Sequence, residues 1–291
     1  MSLDSMADIL HCMEQEGKEF WEVVLAADME ERQVSRESSL SKMLTTWQAM
    51  VDASDSYTGD RRSVSGLVGG DGLKMRQYAI RGKAMSGGYV SEVIAEALSM
   101  AESNACMRRI VAAPTAGACG VLPAVLLPLC KYEELNQRQI LEALYVASGI
   151  GAVIAYRACI AGASGGCQAE IGTASAMAAG ALTSLRGGDP QQIGHAAAMA
   201  LKNLMGLVCD PVAGLVEVPC VKRNVVGSVN AVSCADMALA GVESRIPVDE
   251  VIDCMGEVGR RMPMEMRETA LGGLAATPTG KAVKERMEQQ D

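Results

Sequence analysis

Residues 174 to 181 read ASAMAAGA. The stretch carries no charge, no β-branched side chain and no aromatic ring, so a helix costs its side chains little rotamer freedom there. Its small residues would let two helix backbones approach closely, which is expected of a central helix buried in the middle of a domain. Working outward, the rest of the chain supports the same class. There is a single Phe among 291 residues, and runs of Val and Ile bounded by hairpin turns are absent. Asn136 and Gln139 form a capping-box pattern ahead of Ile140, Leu141 and Leu144. Asp189, Pro190 and Gln192 do the same ahead of Ile193, Ala197, Ala200, Leu201 and Leu204. The fold class expected is all-α, with an Ala/Gly-rich core of closely packed helices.

The N-terminal part differs in composition. Residues 1–60 are charged and helical in period, with apolar stripes at Leu3, Met6, Ile9, Leu10 and Met13, at Phe20, Val23, Val24 and Ala27, and at Leu40, Met43, Leu44, Trp47 and Val51. A glycine-rich bridge, SGLVGGDG at 65–72, leads into residues 61–291, whose later part turns to Ala, Gly, Val, Met and Cys. The two segments, 1–60 and 61–291, are expected to form one continuous domain.

A chain of this length buries roughly three quarters of its unfolded surface, so its stability needs neither disulfides nor structural metal. The net charge of −9 and pI near 4.9 argue against nucleic acid or an acidic membrane surface as partner. A small molecule or another protein fits better. Asp4 and Asp8 fall within Met1 to Leu10, where a signal peptide would need an apolar run, so a cytoplasmic location is expected. Residues 110–130 are uncharged and long enough to cross a bilayer, but they contain Pro114, Gly117, Gly120, Pro123 and Pro128. Those residues would leave backbone groups unpaired in lipid, so the stretch reads as buried interior.

Most cofactor chemistries find little support. Val68 to Lys74 lacks phosphate-loop spacing. Gly162-Ala-Ser-Gly-Gly166 resembles a loop that wraps pyridoxal phosphate, but no Schiff-base lysine stands in suitable surroundings. The two histidines, His11 and His195, sit in helical segments without triad partners. Ten cysteines remain. In a cytosolic chain these are thiols rather than disulfides. Cys130, Cys159, Cys234 and Cys254 lie among helix-type neighbours and read as buried small hydrophobes. Cys167, Cys209 and Cys220 instead stand beside Gly or Pro, where irregular backbone presents an exposed sulfur with free amide N–H groups around it. In GLVCDPVAGLVEVPC, residues 206–220, ten residues separate the two cysteines, too many for a zinc knuckle. Three thiols and few histidines suit an iron–sulfur cluster better than zinc, although spacing alone does not select which three.

Three stretches carry a resemblance: VAAPTAGACGVLPAVLLPLC at 111–130, RACIAGASGGCQAEIGTASAMAAGAL at 157–182, and GLVCDPVAGLVEVPCVKRN at 206–224. From about Ser65 to Gly241 the chain resembles the iron–sulfur-dependent L-serine dehydratases (L-serine ammonia-lyases), specifically their α subunit or catalytic domain. The resemblance implies an all-helical catalytic domain with a [4Fe–4S] cluster on Cys167, Cys209 and Cys220, one iron open to L-serine, and elimination to pyruvate and ammonia. L-Threonine or L-cysteine as substrate, or a non-catalytic cluster-binding regulatory chain, are the alternatives. The Pro114-Thr-Ala-Gly-Ala-Cys-Gly120 turn is a candidate cradle for the substrate carboxylate through Thr115, Gly117 and Gly120, or else only a tight start to a helix. Asn203 and Glu170 are polar residues close in sequence to the ligands, each with a structural cap as its other reading. Single-chain relatives carry a Ser-Ser-His-Thr-type motif whose histidine is a candidate base, and some carry a C-terminal cysteine that occupies the open iron. Neither occurs here: the last cysteine is Cys254. The resemblance therefore implies a separate β subunit that completes the site and supplies the base.

Overall fold

The ASAMAAGA stretch lies inside a helix, Thr173–Leu185, whose residues from Thr173 to Thr183 are all buried. The computed structural model describes residues 3–289. In chain order the helices are α1 (Met6–Glu16), α2 (Phe20–Arg32), α3 (Arg36–Asp55), α4 (Asp71–Ile80), α5 (Gly87–Ala105), α6 (Val121–Glu133) and α7 (Gln137–Arg157). They continue as α8 (Gly162–Gly165), α9 (Thr173–Leu185), α10 (Pro190–Leu204), α11 (Cys220–Leu239), α12 (Val248–Arg261) and α13 (Pro278–Glu288). Among the described residues no strand forms, and one isolated bridge pairs Cys209 with Arg267. The architecture is all-α.

Helix α9 is surrounded by α6, α7, α10 and α11, and its small residues are what allow this. A Cβ added at Gly180 would lie 2.2 Å from Cδ1 of Ile150 on α7, so the two helices cross at a distance only glycine permits. Both capping boxes form. Asn136 Oδ1 accepts from Gln139 N at 3.1 Å while Gln139 Oε1 accepts from Asn136 N at 3.0 Å. Asp189 and Gln192 make the same exchange at 2.8 and 2.9 Å. Of the uncharged stretch at 110–130, the second half forms the start of α6 and is buried from Val121 to Leu129, whereas 110–120 is irregular and leaves Ala112 and Ala116 exposed, so the buried-interior reading holds only in part. Helix α7 is the one helix among the described residues long and apolar enough to cross a membrane, and 56% of that window is buried against the rest of the protein.

Met6 and Ile9 of α1 and Phe20, Val23 and Val24 of α2 join the same core as α9. The third expected stripe is displaced: α3 buries Ser39, Ala49, Met50 and Ala53, while Leu40, Met43 and Trp47 are only partly covered. A polar contact sets that face, because Ser39 Oγ lies 2.6 Å from the hydroxyl of the buried Tyr145 on α7 and also donates to Asp28. A buried hydroxyl left without a partner would cost more than the partly covered Leu40 forgoes.

Candidate metal and substrate site

Cys167, Cys209 and Cys220 come from three separate segments. Cys167 precedes a single π-helical turn, Gln168–Gly172, that leads into α9; Cys209 lies in the irregular link after α10; Cys220 is the first residue of α11. The structure buries all three, at 3%, 2% and 8% exposure, and sets Cys167 and Cys209 side by side, with Cys220 outside their ligand group but near enough to feel the Cys167 charge. The expectation of exposed sulfurs is thus corrected. The Gln168 side chain joins the first two segments, accepting from Gly206 N at 2.8 Å and donating to Met255 O at 3.1 Å. The chain beyond α12 covers them. Cys209 N donates to Met266 O and Glu268 N to Cys209 O, both at 2.8 Å, and Leu274 N donates to Asp210 Oδ2 at 2.8 Å.

The ligand atoms of Cys167, Cys209 and Glu170 lie within 4.8 Å of one another, a grouping able to hold a metal ion. A Cβ added at Gly162 would stand 2.7 Å from Glu170 Oε2, 3.1 Å from Cys209 Sγ and 3.2 Å from Glu268 Oε2. Glycine there leaves room for two carboxylates and a thiol to converge. Glu268 reaches this position from a backbone in the left-handed region, φ 61°, uncommon for a residue with a side chain.

Arg223, one helical turn after Cys220, brackets the Cys209 link. Its Nη1 donates to Val208 O and its Nη2 to Asp210 Oδ1, each at 2.8 Å. The Cys167 thiol is held below the ordinary thiol range, first by the neighbouring Cys209 thiol and then by the Arg223 guanidinium beside it. Cys209 is pushed up by the same neighbour and by burial. Burial pushes Cys220 up to about 12. Without an incoming cation Cys209 and Cys220 hold their protons, and a metal would displace them. Burial also raises the Glu170 carboxyl, the Thr115 hydroxyl opposes that through a 2.6 Å hydrogen bond to Oε1, and the Glu268 charge adds to the rise.

Of the residues expected to receive substrate, Thr115 and Gly117 stand beside Glu170: a Cβ at Gly117 would lie 3.1 Å from its Oε1. The Gly120 N–H is not free, since it donates to Asn224 Oδ1 at 2.8 Å. The same Asn224 donates from Nδ2 to Gly117 O at 2.7 Å and Cys220 O at 3.0 Å, tying the 114–120 turn to the head of α11. Asn203 lies elsewhere: its Nδ2 donates to Asn230 Oδ1 at 2.7 Å. Asn230 is ten residues beyond Cys220 along α11, about 15 Å by helical rise. His195 accepts from Ser244 N, and His11 is exposed on α1. Of the cysteines read as buried hydrophobes, Cys234 is buried, Cys130 and Cys159 are half-buried and Cys254 is exposed.

Sequence reading missed Arg223, Asn224, Asp210, Glu268 and Arg267. A signal existed for the first two, because three and four residues after Cys220 share its helix face. None existed for Glu268 and Arg267, which reach Cys209 only through tertiary pairing. The Arg267 Nε is buried with no hydrogen-bond partner, next to that pairing.

The family model for the serine dehydratase alpha chain matches residues 15–275. A probable L-serine dehydratase alpha chain of Bacillus subtilis (strain 168) is 46% identical over 266 residues, spanning 91% of this chain and 89% of that one. The L-serine dehydratase alpha chain of Peptoniphilus asaccharolyticus is 40% identical over 283 residues, 97% of each chain. An L-serine dehydratase of Escherichia coli (strain K12) is 46% identical over 181 residues, which cover 62% of this chain and 40% of that longer protein. The match includes the cysteine segments and the central helix, and the chain belongs to the serine dehydratase alpha chain family.

Proposed function

We propose that the chain deaminates L-serine to pyruvate and ammonia by elimination of the hydroxyl, using a [4Fe–4S] cluster held by Cys167, Cys209 and Cys220, and that a β subunit completes the active site. The observation that supports this reading is the convergence of the buried Cys167 and Cys209 thiols with Glu170 within 4.8 Å, with the buried Cys220 thiol near enough to feel the Cys167 charge. The donor set fits the group: thiols dominate and neither histidine is at hand, which suits iron–sulfur ligation. Such a cluster, when bound by three thiolates, supplies a Lewis-acidic iron for a hydroxyl leaving group.

The chain's own residues do the rest. Arg223 lowers the cost of negative charge on the sulfurs and fixes the Cys209 link through Val208 and Asp210. Glu170 can hold a proton at its carboxylate close to the cysteines, oriented by the Thr115 hydroxyl. Arg267, whose backbone pairs with Cys209, offers a guanidinium for a substrate carboxylate, a task the 114–120 turn performs less well once the Gly120 N–H is committed to Asn224. Burial of the thiols beneath the 264–276 segment excludes water from the sulfurs.

The test is anaerobic purification with iron and sulfide counts and a visible spectrum, followed by pyruvate assay with L-serine, L-threonine and L-cysteine, with and without β subunit. The proposal expects about three to four irons per chain in cluster form, loss of that cluster in Cys209→Ala, and L-serine turnover only with the β subunit. An intact cluster in Cys209→Ala would refute the ligand assignment. A full cluster in the α/β pair without pyruvate from any of the three amino acids would favour a regulatory chain.

A further inference from the structure

Among the described residues, the ligand atoms that stand close enough together to share one ion are those of Cys167, Glu170 and Cys209, within 4.8 Å of one another, and Cys220 is not among them. Tetrahedral coordination by two thiolates at about 2.3 Å and a carboxylate oxygen at about 2.0–2.2 Å sets its donors roughly 3.5 Å apart, so a movement of about an ångström closes the set. The space for it is there. A Cβ at Gly162 would stand 2.7 Å from Glu170 Oε2 and 3.1 Å from Cys209 Sγ, and glycine leaves that room to the donors. The Thr115 hydroxyl holds Glu170 through Oε1 at 2.6 Å, while Oε2 is the oxygen nearer the point that Cys209 Sγ also faces. A hydrogen bond to the other oxygen of this kind fixes the orientation of a ligating carboxylate.

Charge and access agree with this geometry. Two thiolates and a carboxylate carry three negative charges, a divalent ion cancels two of them, and the Arg223 guanidinium beside Cys167 offsets the third. Both sulfurs are buried and Glu170 is half-buried, so an ion enters on the carboxylate side. The fourth position falls to water or to the exposed Glu268, whose Oε2 stands 3.2 Å from the same point at Gly162. Two soft sulfurs with one carboxylate suit zinc, cobalt or ferrous ions and not magnesium or calcium. We infer that the cluster-free chain carries a mononuclear site for a divalent transition-metal ion, with Cys167, Cys209 and Glu170 as its protein ligands. The site differs from the proposed cluster in taking a carboxylate and leaving Cys220 out, and it stands whether or not a cluster forms. An ion held there occupies two of the sulfurs the cluster would need.

The test uses the full-length chain, reduced, kept anaerobic and stripped of metal by a chelator. Titration with Co2+ followed by visible absorption should give the bands of tetrahedral cobalt, saturating at about one ion per chain, and excess Mg2+ should not displace them. X-ray absorption of the Zn2+-loaded chain should show about two sulfurs at about 2.3 Å and about two oxygens at about 2.0–2.2 Å. Glu170→Gln, which keeps an acceptor for the Thr115 hydroxyl, should weaken Co2+ at least about tenfold, and Cys209→Ala should abolish the bands. Cys220→Ser should bar cluster assembly yet leave Co2+ binding unchanged, so a failure of the cluster reading and a failure of this inference give different results. Three sulfurs around zinc would overturn the inference, as would Co2+ affinity unchanged in Glu170→Gln, lost in Cys220→Ser or retained in Cys209→Ala. The zinc spectrum needs no substitution and decides the matter if Glu170→Gln does not fold.

Discussion

Replacing Asn224 by Ala removes a side chain that joins the 114–120 turn to the cysteine-bearing end of α11. The residue is 1% exposed, and its amide accepts from Gly120 N at 2.8 Å and donates to Gly117 O at 2.7 Å and Cys220 O at 3.0 Å. Cys220 O would keep its α-helical partner. The Gly120 N–H would be left buried and unpaired, at about 1–3 kcal/mol, and the half-buried Gly117 O would fall back on water at a smaller cost, for a total of about 3 kcal/mol. For a chain of this size that lowers Tm by about 6 °C. Scanning calorimetry of the cluster-free chain measures it, and hydrogen exchange at the Gly120 amide localises it. Asn224→Asp is the sharper variant: it keeps an acceptor for Gly120 N–H but sets a carboxylate against Gly117 O. It should therefore be at least as destabilised at pH 7 and should recover part of the loss on acidification. A Tm change below about 2 °C in Asn224→Ala, or unchanged exchange at Gly120, would refute the reasoning.

Three further outcomes follow from the packing and the charges. Gly180→Ala drives a Cβ to 2.2 Å from Ile150 Cδ1, and about 1–3 kcal/mol should be lost in denaturant unfolding. Ile150→Val, which removes that methyl, should restore part of it in the double variant. Asp71 is held below its ordinary 3.8 by hydrogen bonds first from Lys222 and then from Lys74. A depressed folded value stabilises above the unfolded pKa and loses that stabilisation as pH falls through the lowered value. Lys222→Met should consequently flatten the acid limb of the stability profile below about pH 4, where the unfolded carboxyl titrates. Native-state alkylation should label the exposed Cys254 first and leave Cys119 among the slowest, since Cys119 is 1% exposed and burial pushes its thiol up to about 12. Mass spectrometry of a time course reads the order, and early labelling of Cys119 would contradict the packing around α6.

Helix class was legible because it depends on neighbours in sequence. Ala174 to Ala181 forbids strand packing and permits close helix contact, and the Asn136 and Asp189 capping boxes close within three residues of their starts. The α3 face was not legible, because a hydroxyl on a distant helix, Tyr145, selects which side of α3 turns inward. The cysteine segments could be read from the chain as irregular backbone beside Gly and Pro, and the family likeness singled out three of them. That they are buried could not be read, because the cover is Met266, Glu268 and Leu274, many residues downstream and paired to Cys209 and Asp210 through space.

The charge on the sulfurs shows the division most clearly. Sequence alone determined that thiols outnumber histidines and that small residues line the central helix. Only the tertiary structure decided that Cys209 stands beside Cys167, that Arg223 reaches back across the link, and that Glu170 meets Glu268 at Gly162. Covalent order sets which residues can cap, turn or pack locally. The energies of buried charge depend on distances of a few ångströms between groups far apart in the chain, and those exist only once the helices have packed.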